Sequence, residues 1–229
     1  MKRPMFHALA GLAAIALSAG AAYATPINPS PTLHSGPLTF TNFSSSITGE
    51  GDYAPTSAAG ISVSALSDPG IEFTGGFNAF GSGSVGDFAL SYEVTAAAGT
   101  KIDDIFLGLS GASLYGSDAS VDIVECAYAD AAHTVLLGGN CLSVYDPPAT
   151  LTGTLNLGGA YSTVYVTKDI MVSAGDCGTI CHASLSIIDQ RFSMDSVPEP
   201  ASLALFGAGL LGCALVAGRR RRRSSADRV

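Results

Sequence analysis

Tryptophan is absent from all 229 residues, histidine occurs only four times, and between Thr25 and Pro200 the only basic side chains are Lys101, Lys168 and Arg191. Each scarcity removes a class of function. A span with three cations has no basic patch to hold nucleic acid or an anionic lipid surface. Without tryptophan, the chain lacks the strongest sugar platform that a glycosidase cleft sets beside its paired carboxylates. The histidines of this span, His34, His133 and His182, stand in no catalytic context. No Gly-x-Ser-x-Gly elbow, His-Glu-x-x-His helix or phosphate loop occurs either, so the expectation is a protein that is not an enzyme and carries no cofactor. Between the two ends no apolar pattern is sustained at helical spacing, and no helix is expected there.

Carboxylates, in contrast, are abundant. Of the 19 Asp and Glu residues, all but Asp227 lie between Thr25 and Pro200, so this span is strongly acidic. Such a surface suits solubility outside a cell, or contact with cations or a hydrated polysaccharide.

Both ends carry targeting chemistry. Lys2 and Arg3 precede a short apolar core from Leu9 to Leu17, and Ala22-Tyr23-Ala24 places small residues at the two positions a signal peptidase reads. Residues 1–24 are therefore expected to be a signal peptide cleaved after Ala24, with the mature chain starting at Thr25. At the other end Val197-Pro198-Glu199-Pro200 is followed by an uncharged apolar run from Ala201 to Gly218 and then by Arg219, Arg220, Arg221, Arg222 and Arg223. About 18 residues of helix just cross a hydrocarbon core. The arginines hold their side in the cytoplasm, with residues 224–229 as a cytoplasmic tail, and leave everything before Pro198 outside.

This tail resembles the PEP-CTERM sorting signal of Gram-negative bacteria, here residues 196–223. Pro198-Glu199-Pro200 is the signature, Ala201-Ser202 follows it, and the glycine-rich span and the arginine block complete it. The resemblance covers the sorting tail and no known activity. It implies an inner-membrane intermediate, recognised and processed by an exosortase at or near the Pro-Glu-Pro motif, then passed to the cell surface or the exopolysaccharide matrix. The strand running into Phe192 and the segment around Lys168-Asp169-Ile170 are loosely similar to the closing strands of small PEP-CTERM proteins.

Four cysteines, Cys126, Cys141, Cys177 and Cys181, lie in the exported part, whereas Cys213 sits in the apolar run. An even number in an oxidising compartment favours disulfides. Three pairings are possible, and sequence order suggests Cys126 with Cys141 and Cys177 with Cys181. Closing the first loop, of about fifteen residues, stabilises by about 3 kcal/mol on the chain-entropy account and would staple a hairpin. Zinc on Cys177, Cys181 and His182 is disfavoured, because adjacent ligands point apart and no second pair has metal-ligand spacing. No metal site is expected; calcium has acidic loops to use but no Asp-x-Asp-x-Asp loop.

After a Pro-, Ser- and Asn-rich lead-in over 25–37, residues 38–195 read as one domain of period-two strands. Phe88, Leu90, Tyr92 and Val94 alternate with polar neighbours in the clearest strand. Val164, Val166, Lys168, Ile170 and Val172 form a second row, in which one lysine interrupts the apolar side. Further strands are expected over 38–43, 60–66, 102–109, 120–128, 133–137, 141–145, 151–157 and 183–192. Turn chemistry stands at Ser67-Asp68-Pro69-Gly70, Gly75-Gly76, Gly138-Gly139-Asn140, Asp146-Pro147-Pro148 and Gly158-Gly159. Gly81 to Gly86 fits a dinucleotide fingerprint by letters, yet a strand and not a helix follows it, so it reads as a flexible turn. Eight to ten short strands imply an all-β, jelly-roll-like β-sandwich.

Paired carboxylates occur at Asp103-Asp104 and at Asp118 and Asp122, but neighbours in a regular strand face opposite sides of the sheet. The functional expectation is an exported surface or matrix protein, structural or associated with exopolysaccharide and biofilm. The alternative is a carbohydrate- or ion-binding, adhesin-like module using aromatics such as Tyr115 or Tyr145.

Overall fold

The computed structural model of the chain describes residues 24–54, 60–177 and 180–196. Ala22, the apolar run 201–218 and Arg219 to Arg223 lie outside the described residues, as do Pro198, Glu199 and Pro200. The described residues form twelve strands: β1 (Thr25–Pro26), β2 (Leu33–Ser35), β3 (Leu38–Ala54), β4 (Ile61–Ala65), β5 (Gly70–Ala96), β6 (Thr100–Ser110), β7 (Ser113–Tyr115), β8 (Ser120–Tyr128), β9 (Leu142–Asp146), β10 (Thr152–Tyr161), β11 (Thr163–Ser173) and β12 (His182–Ser196).

The architecture turns on β5, which is 27 residues long and serves two layers. Its first part, Gly70 to Phe80, pairs with β12, β4 and the last residues of β3, while its second part, Val85 to Ala96, pairs with β11 and the rest of β3. One layer therefore runs β10-β6-β12-β5-β4-β1, and the other runs β3-β5-β11-β8-β9 with β2 on the edge of β3. The layers face each other across an aromatic interior. Phe77 meets Phe88 edge to face at 5.2 Å, Phe73 lies 5.8 Å from Tyr92, and Phe40 lies 5.6 Å from Phe192. Burying one such ring stabilises by about 1.5–3 kcal/mol.

Glycine makes the corner between layers possible. Gly51, Gly81 and Gly83 have φ of 72°, 84° and 74°, a region closed to most side chains. A Cβ on Gly51 would stand 2.2 Å from Ser84 Oγ, and that hydroxyl accepts the Asp52 N–H at 3.2 Å and donates to the Phe80 carbonyl. The glycine-rich run 81–86 is thus a bend inside one continuous strand, not a turn between two.

Four other local expectations differ. Gly158 and Gly159 do not end a strand; they lie inside β10, where its register with β6 shifts between Asn156 and Tyr161. Gly75 and Gly76 do not end a strand; they form a bulge in β5 opposite Ser186, where the register shifts between Leu185 and Ile187. Residues 133–137 do not form a strand. The Asp130 carboxylate accepts from the Thr134 and Val135 N–H groups at 3.0 and 2.7 Å, which captures the donors a ladder would need, and His133 takes φ 54°. Only Tyr128 and Leu136 form a bridge there. The lead-in over 25–37 contributes β1, paired with β4, and β2, paired with β3. Its Ser35 hydroxyl is buried and ties down the turn before β5, lying 2.8 Å from the Leu66 carbonyl and accepting from Gly70 N–H at 3.0 Å.

Candidate functional site

Between the layers lies a group of three polar side chains that an apolar core does not need. Lys168, Glu125 and Gln190 are 2%, 0% and 0% exposed. β11 pairs with β8 so that Lys168 stands directly opposite Glu125, and both follow the inward row of their strands. Gln190 comes from β12 in the other layer. The Lys168 Nζ contacts both Glu125 Oε2 and Gln190 Oε1. The Gln190 amide nitrogen donates to Glu125 Oε1 at 3.1 Å and to the Phe106 carbonyl at 3.0 Å. Every polar group of the trio is engaged, as burial at this depth demands.

The electrostatics follow from burial. Removal from water lowers the Lys168 pKa, and the charge and hydrogen bond of Glu125 offset part of that. The Tyr92 phenol is pushed well above its ordinary value, first by burial and then by the Glu125 charge, and its hydroxyl has no hydrogen-bond partner. Lys168 was visible in the sequence as an interruption; Glu125 and Gln190 were missed. The signal was available, since Glu125 sits among Val121, Ile123 and Ala127 at period two and Gln190 sits between Ile188 and Phe192.

On the outer face of the second layer, a groove of about 630 Å³ runs across β3, β5, β11 and β8, with Ser44, Asp87, Ser91, Thr167 and Asp169 among its lining residues. Asp169 has its pKa raised, first by burial, then by the hydrogen bond and charge of Asp87, and last by the Asp122 charge. Asp122 also accepts from the Ser143 hydroxyl at 3.0 Å. Among the described residues no three His, Cys, Asp or Glu side chains are grouped to hold a metal ion. Asp103, adjacent to Asp104, sits at a bulge where β6 and β12 shift register, so these two carboxylates are not in a regular strand.

The outer face of the first layer carries a row of rings. His182 is paired in register with Phe80 on one side and Tyr115 on the other. The Tyr115 and His182 rings are 5.9 Å apart and 9° from parallel, and the Phe80 and His182 rings are 6.0 Å apart at 29°. Tyr115 is 59% and Phe80 48% exposed, and Ser113 Oγ lies 3.2 Å from His182 Nε2. Tyr115 belongs to β7, and Tyr145 is half-buried in β9.

The cysteines are bonded as sequence order suggests. Cys126 joins Cys141 with Cα atoms 4.5 Å apart, and Cys177 joins Cys181 at 5.9 Å. The sulfurs a zinc site would have used are thereby engaged. The first bond ties β8 to the start of β9, its antiparallel partner, so it does staple a hairpin, one whose connection is the excursion through His133. Ala24 and Thr25, at the expected signal-peptidase bond, are described, and Thr25 opens β1.

No curated protein matches the sequence. Among solved structures, the chain is similar to TmCBM61 in complex with beta-1,4-galactotriose, with 14% identity, 65% of this chain and 88% of that chain covered, and a TM-score of 0.28. It is also similar to a structure from work on the carbohydrate-binding modules of the β-sandwich superfamily. There the identity is 15%, the coverage 69% of this chain and 56% of that one, and the TM-score 0.28. Residues 196–222 match the family model of the PEP-CTERM protein-sorting motif. The segment that begins at the last residue of β12 is therefore a PEP-CTERM sorting motif, which implies export, membrane-associated sorting in a Gram-negative bacterium and processing by an exosortase.

Proposed function

We propose that this chain is an exported, non-catalytic β-sandwich, delivered by its sorting tail to the cell surface or the exopolysaccharide matrix, where it acts as a structural component. The observation that carries this reading is the junction at Ser196: the last strand of the sandwich ends where the sorting motif begins. In this reading a signal peptidase cuts after Ala24 and the helix over 201–218 parks the body at the inner membrane. Arg219 to Arg223 fix the orientation, and an exosortase acts near Pro198-Glu199-Pro200. Fractionation of the native host tests it. The wild-type protein is expected outside the inner membrane, and a variant with alanines at 198, 199 and 200 is expected to stay in it. Equal distribution of the two would refute the reading.

A second reading, a carbohydrate-binding module, is favoured by the ring row Phe80, His182 and Tyr115. Exposed aromatic rings suit the apolar faces of sugars. The row also sits at the opposite end of β12 from Ser196, about 45 Å away along the strand, which leaves it clear of the membrane. Polysaccharide from the host, titrated against wild type and a Phe80→Ala/Tyr115→Ala variant, is expected to lose about tenfold in affinity, or 1.4 kcal/mol. Unchanged affinity would remove the row from any binding role.

A further inference from the structure

We propose that Lys168 and Gln190 become joined by an amide between Nζ and Cδ, with Glu125 carrying the proton and ammonia released, so that β11 and β12 are covalently linked across the sandwich. This goes beyond the sorting reading and does not depend on it.

Four requirements of an amine-for-amide exchange are met by groups already described. The nucleophile must be an amine next to the acyl group, and Nζ contacts that group at Gln190 Oε1, the oxygen bonded to Cδ. The proton must pass from the attacking nitrogen to the leaving one. Glu125 touches both, Oε2 on Nζ and Oε1 on Nε2 at 3.1 Å. The amide must be held still, and the Phe106 carbonyl fixes Nε2 from the other side at 3.0 Å. Water must be excluded so that hydrolysis does not compete, and all three side chains are buried. Burial also shifts Lys168 toward the neutral amine that attacks.

The step balances without a co-reactant. Lys168 passes one proton to Glu125, and its freed lone pair forms the bond to Cδ. Glu125 delivers that proton to Nε2 and takes a second from Nζ, and the Cδ–Nε2 bond breaks with its electron pair leaving on nitrogen as ammonia. What remains is a secondary amide and a neutral Glu125 carboxyl. Two buried charges have vanished, which removes the desolvation cost that makes a buried ion pair a weak source of stability. Gln190 is the acyl partner in preference to Glu125, because Glu125 spans the attacking and leaving nitrogens and is thereby placed to carry the proton between them. The link also has a mechanical consequence: β12 leads directly into the tail, so tension on the tail would be carried by a covalent bond into the other layer.

Peptide mapping of the full chain, exported by its own host and digested after disulfide reduction, tests this. With trypsin and chymotrypsin together, so that the chain is also cut between the two residues, the expected result is a branched peptide joining the Lys168 and Gln190 segments, lighter than their sum by one ammonia, about 17 Da, with no cleavage after Lys168. Glu125→Gln and Lys168→Arg should yield unbranched peptides at full mass, with circular dichroism checking that the variants keep their strands. Separate, full-mass Lys168 and Gln190 peptides from the wild-type protein would overturn the proposal whatever the variants do. A branch from Lys168 to Glu125, lighter by water, would overturn the choice of Gln190, and a link that survives Glu125→Gln would overturn the shuttle.

Discussion

On the β3 and β4 side the two layers meet through Phe40, Phe43, Phe73, Tyr92 and Phe192, whereas on the β8 and β11 side an aliphatic contact that includes Ile123, Val166 and Ile170 is interrupted by Glu125, Lys168 and Gln190. The same pair of sheets thus closes in two chemically different ways. Packing accounts for the aromatic half apart from the unpartnered Tyr92 hydroxyl, because rings in contact lose water and gain dispersion. The polar half removes charge from water in a place where aliphatic side chains of similar volume would pack as well or better. Such a cluster is informative because stability alone does not account for it, and its geometry suits chemistry between its members.

Breaking each half separately sharpens the contrast. Lys168→Met leaves the polar groups of Glu125 and Gln190 buried without their lysine partner and is expected to lower unfolding free energy by about 3–5 kcal/mol, with Phe73→Ala costing a comparable 3–5 kcal/mol through its cavity. Urea denaturation of both variants checks this. The polar half is distinguished by a companion, Phe73→Leu, which keeps apolar volume and should recover most of the aromatic loss, while Lys168→Arg should recover little, because the bulkier guanidinium does not reproduce the ammonium contacts. If Lys168→Met stays within about 1 kcal/mol of wild type, the trio is not energetically coupled.

A smaller effect is expected where neither half of the interior is involved. Replacing Cys126 and Cys141 together by serine opens a loop of 15 residues and should cost about 3 kcal/mol or less, visible as a lower thermal midpoint, while the bonds within the trio remain. The smallest effect belongs to the outer acidic face. Asp169 has a raised folded pKa, so ionisation there opposes folding: its contribution is most favourable below the unfolded carboxylate pKa and is lost as pH rises through the folded value. Asp169→Asn should therefore stabilise at neutral pH by less than about 1 kcal/mol, with the gain fading in acid. A gain that persists unchanged at low pH would contradict the assigned cause, partial burial together with the hydrogen bond and charge of Asp87 and the charge of Asp122.

Linear signals were the legible ones. The Pro-Glu-Pro tail, the cysteine order and the alternation over 87–95 and 163–172 all depend on neighbours in sequence, and each was readable without a topology. What escaped reading depends on partners far along the chain. The continuity of β5 through Gly75-Gly76 and Gly81–Gly86 was hidden because glycine pairs signal turns, whereas here bulges and a corner use the same freedom. The segment 133–137 looked like a strand because its apolar residues did, but Asp130 four or five residues away took its backbone donors. Lys168 stood out within its own strand, yet naming Glu125 and Gln190 as its partners required knowing that β8 lies beside β11 and that β12 faces it from the other layer.

The most direct test of the account is the intact mass of the mature protein isolated from its own host. A body that begins at Thr25 and lacks Arg219 to Arg223 is the predicted result, and it would establish that the sandwich is exported and released from its sorting tail. A mature mass that retains the arginine block would contradict processing of the tail and leave the domain anchored at the membrane.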